Sequence, residues 1–122
     1  MDDSTIQSCP IPRWEILKKL LKNLDAEAFE AMRQAHPDYR LIDVRTPAEY
    51  AEFHLPDAQL LDYLGPDFLD DMEALDPKAT YLVYCRTGRR SVRACTLMTN
   101  HGLEHLYHLD GGLQAWMEKF NH

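Results

Sequence analysis

The chain has 122 residues, a length typical of one domain and sufficient to bury an apolar core without disulfides or metals. It carries 20 acidic and 13 basic residues, and the formal net charge of −7 argues against general binding to nucleic acids or anionic membranes. Its 3 cysteines are an odd and sparse number, which argues against a disulfide framework, and they contain no CxxC pair, which argues against a thiolate zinc site.

The first segment in chain order is a flexible N-terminal arm, expected over residues 1–12, in which Pro10 and Pro12 oppose regular structure. Its acidic start is not followed by an apolar run, which argues against a secretory signal, and no stretch of the chain is apolar enough to predict a membrane span. We therefore expect a cytoplasmic protein whose thiols stay reduced. The globular domain is expected over residues 13–122. Residues 16–22 belong to a segment with apolar side chains at helical spacing, and both helix and strand stay open for it.

Strand and helix signals alternate along the rest of the chain. Short apolar runs predict strands over residues 40–44, 58–62, 80–84 and 106–109. Helix formers and turn residues predict helices over residues 26–35, 67–75, 91–100 and 113–120, and a short helix after Thr46. This alternation predicts an α/β fold with a mainly parallel central sheet and helices on both faces.

The short helix after Thr46 has a specific start signal. Thr46 is the expected N-cap, Pro47 occupies the first helical position, and Glu49 completes a capping box. The helix is therefore expected to begin immediately after the strand at residues 40–44.

The loop Cys85–Ser91 carries the strongest chemical signal, because it joins the clearest predicted strand to a helix. Ligands of parallel α/β folds bind at the carboxyl ends of strands. In such a loop the backbone N–H groups converge, and together with the helix dipole they stabilise an anion such as a thiolate. Arginines within the loop add positive potential, and Gly88 permits a close approach or a positive φ. The residues indicate a nucleophilic cysteine in an anion-binding cradle; the alternative is a buried cysteine beside a solvated turn.

Three segments resemble signatures of the rhodanese family, in the family's order. Cys85–Arg90 fits the pattern of a cysteine, four residues and an arginine. Leu41–Tyr50 with His54–Ala58 is similar to the N-terminal signature, and Leu109–Trp116 to the C-terminal one. The resemblance implies a rhodanese-like three-layer fold with a central sheet of about five strands. Asp57 departs from the family, which usually has glycine there, and we expect a local change in the turn with the chemistry intact.

The resemblance implies a thiosulfate sulfurtransferase that uses a Cys85 persulfide. The thiolate would take sulfur from a small anionic donor such as thiosulfate, and a thiol or cyanide acceptor would remove it. Neither a metal nor another cofactor is implied, and neither nucleic acid nor membrane is an expected partner. Arg86 and Arg89 are expected to be exposed and to bind the donor, whereas Arg90 is expected to be tied to the loop. The full expected substrate-binding set is Arg86, Thr87, Gly88, Arg89 and Arg90.

Other functions stay open for the same residues. A sulfur-relay carrier would use the same Cys85 to hand its persulfide to a partner protein. A non-catalytic regulatory rhodanese module is disfavoured because such modules often lack the cysteine. A phosphatase or arsenate reductase is disfavoured because the related phosphatases have a longer loop.

Four polar residues near the predicted strand ends are interpreted as structural support and not as an acid/base set. Arg45 and Glu49 are expected to pair with each other. Asp43 is expected to hold a loop arginine or a backbone N–H. His54 completes this set.

The remaining histidines and cysteines are not assigned to chemistry. His101, His105 and His108 span a helix end, a turn and a strand, so they do not share a face and predict no metal site. Cys95 is expected in the core, and Cys9 in the arm is expected to be exposed and incidental.

Overall fold

The computed structural model describes residues 11–120, and within them five strands alternate with six helices. The strands are β1 (Asn23–Leu24), β2 (Arg40–Asp43), β3 (Gln59–Leu60), β4 (Tyr81–Tyr84) and β5 (Leu106–Leu109). The helices are α1 (Arg13–Lys18), α2 (Ala26–Ala35), α3 (Pro47–Glu52), α4 (Phe68–Glu73), α5 (Arg89–Asn100) and α6 (Gly112–Phe120). The predicted α/β class is confirmed. The expected arm lies outside the described residues except for Ile11 and Pro12.

The sheet has the strand order β1-β5-β4-β2-β3, and every pairing in it is parallel. In the register, Val83 of β4 lies opposite Ile42 of β2 on one side and His108 of β5 on the other. Parallel strands bring their carboxyl ends to one edge, so Asp43 and Cys85 meet there. This edge is where the sequence predicts the chemistry.

Two apolar clusters fill the two faces of the sheet, because successive strand residues point to opposite sides. One cluster holds Ile42 and Val83 with side chains of α4 and α5. The other holds Leu41 and Leu82 with side chains of α2 and α6. Each fully buried aliphatic side chain contributes about 1.5–3 kcal/mol, so these faces supply most of the folding free energy. Within residues 11–120, no helix is long and apolar enough to cross a bilayer.

Residues 16–22, for which helix and strand stayed open, contain the end of α1 and the turn that follows it, but no strand. Helix α1 stops at Lys18, and the chain then turns into β1 at the edge of the sheet. The Asn23 side chain holds this turn by donating to the Lys18 carbonyl at 2.9 Å. The apolar spacing that suggested a longer helix reflects partial packing of Leu17 and Leu21, whereas Leu20 is exposed.

Asp57 lies in the turn between α3 and β3 with a φ of 71°, a left-handed conformation that favours glycine. Among residues 11–120 it is the one non-glycine residue with a positive φ. Aspartate tolerates this conformation better than most residues. The turn keeps its Ala58 N–H to Leu55 carbonyl hydrogen bond at 3.1 Å, which agrees with a change confined to the turn.

Candidate active site

Cys85 follows β4 directly, and its side chain is buried beneath the loop that leads into α5. Two backbone N–H groups donate to its Sγ: that of Gly88 at 3.1 Å and that of Ser91 at 3.3 Å. Gly88 adopts a φ of 105°, which turns its N–H towards the sulfur and begins the helix. These donors and the positive end of the α5 dipole stabilise a negative charge on the sulfur.

The three loop arginines lie in two different environments. Arg86 and Arg89 are exposed. Arg90 is half-buried and makes a two-pronged ion pair with Glu49, with Nη1 to Oε1 at 2.7 Å and Nη2 to Oε2 at 2.9 Å. Its hydrogen bonds to Arg90 lower the pKa of Glu49 to about 2. Arg90 therefore fastens the loop to α3, whereas Arg86 and Arg89 are available to an anion.

The predicted pairing of Arg45 with Glu49 is wrong. Arg45 instead folds back onto Asp43, which is fully buried, and its Nη2 lies 2.7 Å from Asp43 Oδ2. Asp43 also accepts the Arg45 backbone N–H at 2.9 Å, so the predicted backbone contact of Asp43 is present. The Arg45 guanidinium further donates to the Phe53 carbonyl at the end of α3. Arg45 pairs with Asp43 because that carboxylate is only two residues away, and Glu49 therefore pairs with Arg90.

The start of α3 orients Glu49 towards Arg90. The Thr46 Oγ1 accepts the Glu49 N–H at 3.3 Å, and Glu49 Oε1 accepts the Thr46 N–H at 3.1 Å, with Pro47 at the first helical position. The predicted capping box is present. His54 hydrogen-bonds the Tyr50 carbonyl through Nδ1 at 2.8 Å and stacks on the Tyr50 ring, so its observed support is to the end of α3.

A buried polar chain that the sequence analysis missed lies beneath the loop. Ser91 Oγ is 2.6 Å from His108 Nε2, and His108 Nδ1 is 2.8 Å from Asn23 Oδ1. Burial lowers the pKa of His108 to about 4, so its imidazole is neutral near pH 7. Because Asn23 Oδ1 can only accept, we assign the hydrogen to Nδ1, and Nε2 accepts the single hydroxyl hydrogen of Ser91, whose Oγ also lies 3.1 Å from the Gly88 carbonyl oxygen. The available signal was a polar residue at an inward position of an otherwise apolar strand.

Helix α1 covers one side of the loop, a second feature that the sequence analysis missed. The Arg89 guanidinium lies 5.0 Å from the centre of the Trp14 ring, within the range of a cation–π contact. Lys18 Nζ is 2.6 Å from Asp110 Oδ1 in the turn after β5. Trp14 Nε1 is buried and has no hydrogen-bond partner among the described residues. No local pattern in the sequence predicts that α1 returns to this edge.

The first turn of α6 closes the other side of the loop. The Leu113 N–H donates to the Cys85 carbonyl at 2.8 Å, and the Gln114 N–H donates to the Arg86 carbonyl at 3.0 Å. A Cβ on Gly112 would lie 2.5 Å from the Arg86 carbonyl atoms. Only glycine lets the two backbones come this close.

Cys95 is fully buried on α5, as expected, and burial raises the pKa of its thiol above the ordinary value. A buried neutral thiol is a poor nucleophile. Cys9 lies outside the described residues. Within residues 11–120, no group of three or more histidine, cysteine, aspartate and glutamate side chains is arranged to hold a metal ion.

Glu49→Gln should separate the contribution of the Glu49–Arg90 ion pair from that of side-chain size. We expect a loss of about 1–2 kcal/mol in the free energy of unfolding at neutral pH, because glutamine keeps the size of the Glu49 side chain while Arg90 loses its charged partner. The folded-state pKa of Glu49 is lowered from 4.5 to about 2, so the stabilisation is complete above pH 4.5 and is lost as the pH falls towards 2. Urea unfolding across this pH range should show that the free energies of unfolding of the wild type and the variant converge in acid. A stability difference that stays constant with pH would contradict the ion-pair assignment.

A protein-family model described as a rhodanese-like domain matches residues 25–119, which include the Cys85 loop and Gly112. A sulfurtransferase from Allochromatium vinosum is 34% identical over 99 residues, covering 80% of this chain and 89% of that protein. A thiosulfate sulfurtransferase, GlpE, from Stutzerimonas stutzeri is 31% identical over 100 residues, covering 81% of this chain and 87% of that protein. The solution structure of a polysulfide-sulfur transferase homodimer from Wolinella succinogenes is similar with a TM-score of 0.70 and 26% identity, covering 88% of this chain and 81% of that one.

Proposed function

Because the chain belongs to the rhodanese-like domain family, we propose that it is a sulfurtransferase that carries sulfur as a persulfide on Cys85, with thiosulfate as the donor class. Relatives named sulfurtransferase, more than 30% identical over about four-fifths of the chain, support the general activity. The observation that carries the proposal is the pair of backbone N–H groups directed at Cys85 Sγ, beside two exposed arginines.

In the first step, the Cys85 thiolate attacks the outer sulfur of thiosulfate. A sulfur–sulfur bond forms at Cys85, the sulfur–sulfur bond of thiosulfate breaks, and sulfite leaves with the electron pair. In the second step, a thiolate or cyanide attacks the outer sulfur of the persulfide and releases the Cys85 thiolate. Each step moves negative charge within the loop, and the N–H groups of Gly88 and Ser91 are already oriented to stabilise that charge.

This chemistry needs a reduced Cys85, which a reducing compartment such as the cytoplasm maintains. The transfer step itself needs no dedicated general base, because the attacking species is the Cys85 thiolate, whose charge the Gly88 and Ser91 N–H groups stabilise. That agrees with the contacts of Asp43 and Glu49, whose carboxylates are committed to Arg45 and Arg90.

Mass spectrometry of the intact protein tests the proposal directly. Incubation with thiosulfate should add the mass of one sulfur atom, and a reductant should remove it. Cyanide should remove this sulfur and form one thiocyanate for each sulfur atom that the protein had gained. A protein that stays unmodified by thiosulfate, yet gains sulfur from a protein persulfide, would be a relay carrier and not a thiosulfate sulfurtransferase.

The exposed arginines should determine donor affinity. Arg86→Ala and Arg89→Ala should each lower kcat/KM for thiosulfate by roughly 10- to 150-fold, mainly through a higher KM, because each removes a charged contact worth about 1.5–3 kcal/mol. Thermal stability should change little in Arg86→Ala, whose side chain is exposed, whereas Arg89→Ala also removes the Trp14 contact and should cost a further ~0.5–1 kcal/mol. Lys78→Ala removes a charge at the opposite edge of the sheet and should leave KM unchanged. A wild-type KM in both arginine variants would exclude these two side chains as the donor site.

A further inference from the structure

A groove of about 590 Å³ lies between α3 and α6, at the side of the Cys85 loop. Its volume falls within the range of small-molecule binding sites. We call it the α3–α6 groove and define it by Glu52, Phe53, Arg86, Leu113, Met117 and Glu118. Of the residues that we assign to donor binding, only Arg86 lines it.

The inner end of the α3–α6 groove is fastened to the catalytic loop. Leu113 and Gln114, which line the groove, donate their backbone N–H groups to the carbonyls of Cys85 and Arg86. The exposed Arg86 side chain also lines it. A molecule that occupies the groove therefore contacts Arg86, the residue that follows Cys85.

The charged side chains that line the groove differ in whether they are paired within the protein. Arg45 and Glu49 also line it, but each is paired within the protein, with Asp43 and Arg90 respectively. Arg86 is the cation at the inner end. Glu52 and Glu118 are exposed on α3 and α6, and neither carboxylate has an ion-pair partner in the part of the chain that the structure describes.

Apolar side chains complete the groove. Leu113 is buried, and Phe53 and Met117 are half-buried and pack on the core of that face. The complementary ligand therefore carries an anionic group for Arg86, an apolar part for Phe53, Leu113 and Met117, and a cationic group for the carboxylates.

We propose that the α3–α6 groove binds the sulfur acceptor, and that this acceptor is a thiol linked through an apolar group to a cationic group. The proposal rests on the proposed sulfurtransferase function and identifies the class of its second substrate. A peptide segment in which a lysine or arginine follows a cysteine and an apolar residue has this chemistry.

The transfer step balances without an oxidant or reductant. The acceptor thiol loses its proton to solvent, and Arg86 attracts the resulting thiolate. The thiolate attacks the outer sulfur of the Cys85 persulfide and forms a new sulfur–sulfur bond. The bond between that sulfur and Cys85 Sγ breaks, its electron pair returns to Sγ, and the acceptor leaves as a persulfide.

The test uses two acetylated and amidated tripeptides, cysteine-leucine-lysine and cysteine-leucine-glutamate, as acceptors for sulfur-loaded protein. The double variant Glu52→Gln/Glu118→Gln should lose about fivefold in the transfer rate constant to the lysine peptide relative to the glutamate peptide, the order expected for two solvent-exposed charges. Comparing the ratio between proteins cancels the intrinsic reactivity of each thiol. Cyanide, which is too small to reach the carboxylates, should react equally with both proteins.

The matched control is Glu73→Gln/Glu104→Gln, which removes two exposed carboxylates near the amino ends of the strands. An unchanged peptide ratio in the groove variant, or the same change in this control, would overturn the assignment. Loading is measured separately by mass spectrometry. If thiosulfate does not load Cys85, the proposed donor fails, and polysulfide-loaded protein still tests the groove.

Discussion

Cys85→Ser is expected to lower thiosulfate:cyanide transfer by more than about 1,000-fold, to a rate indistinguishable from protein-free solution. A serine hydroxyl is not ionised at neutral pH, and it cannot hold sulfane sulfur as a persulfide. The N–H groups of Gly88 and Ser91 would remain in place, so fold and loop should be preserved. The measurement is thiocyanate formation together with the mass of the thiosulfate-treated protein.

Cys95→Ala is the matched control for this loss. Cys95 lies on α5, fully buried, with a thiol pKa raised by burial, so it cannot replace Cys85 as the nucleophile. Alanine is preferable to serine there because a buried hydroxyl would add a desolvation cost of about 1–3 kcal/mol. The variant should be less stable and should keep its activity per folded molecule. Sulfur loading that persists in Cys85→Ser, or disappears in Cys95→Ala, would remove the catalytic assignment from Cys85.

The fold could be predicted because its signals are local. The alternation of apolar runs with capped helices determines a parallel sheet, and the Thr46 capping box determines where α3 begins. Helix α1 has no such local signal, because it contains no buried residue and is held by contacts with residues that are distant in the sequence. Its contact from Trp14 to Arg89 joins residues far apart in sequence.

The candidate site also has features that neighbouring residues predict and contacts that depend on residues distant in the sequence. A cysteine, glycine and arginines between a strand and a helix predict the cradle, since loop geometry follows from adjacent residues. Ion-pair partners do not follow from adjacency. The sequence predicts a pair between Glu49 and Arg45, but Glu49 pairs with Arg90. The reason is that Asp43 is nearer to Arg45 and that the capping box directs Glu49 towards the loop. The environment of His108 depends on Ser91 and Asn23, on separate elements, and only the sheet brings them together.

Gly112→Ala is expected to reduce both stability and activity, through one backbone contact. Gly112 has a φ of 67°, and an added Cβ would lie 2.5 Å from the Arg86 carbonyl carbon and oxygen and 2.7 Å from the Cys85 carbonyl oxygen. These are backbone atoms, so either the loop or the start of α6 must move. We expect a loss on the order of 2–4 kcal/mol, from left-handed strain plus overpacking.

The effect of Gly112→Ala on sulfur transfer should exceed what its stability loss explains. Moving the loop separates the N–H donors from Cys85 Sγ, and a displacement of about 1 Å can lower a rate by roughly 100-fold. Gly102→Ala is the matched control. Gly102 has a φ of 106°, but nothing lies within 4 Å of an added Cβ, so alanine there adds only conformational strain of about 1–2 kcal/mol. In Gly112→Ala, the free energy of unfolding measured with a chemical denaturant and the rate of persulfide formation per folded molecule should therefore both fall. In Gly102→Ala, only the free energy of unfolding should fall. Full activity in folded Gly112→Ala would mean that close contact between α6 and the loop does not position the nucleophile.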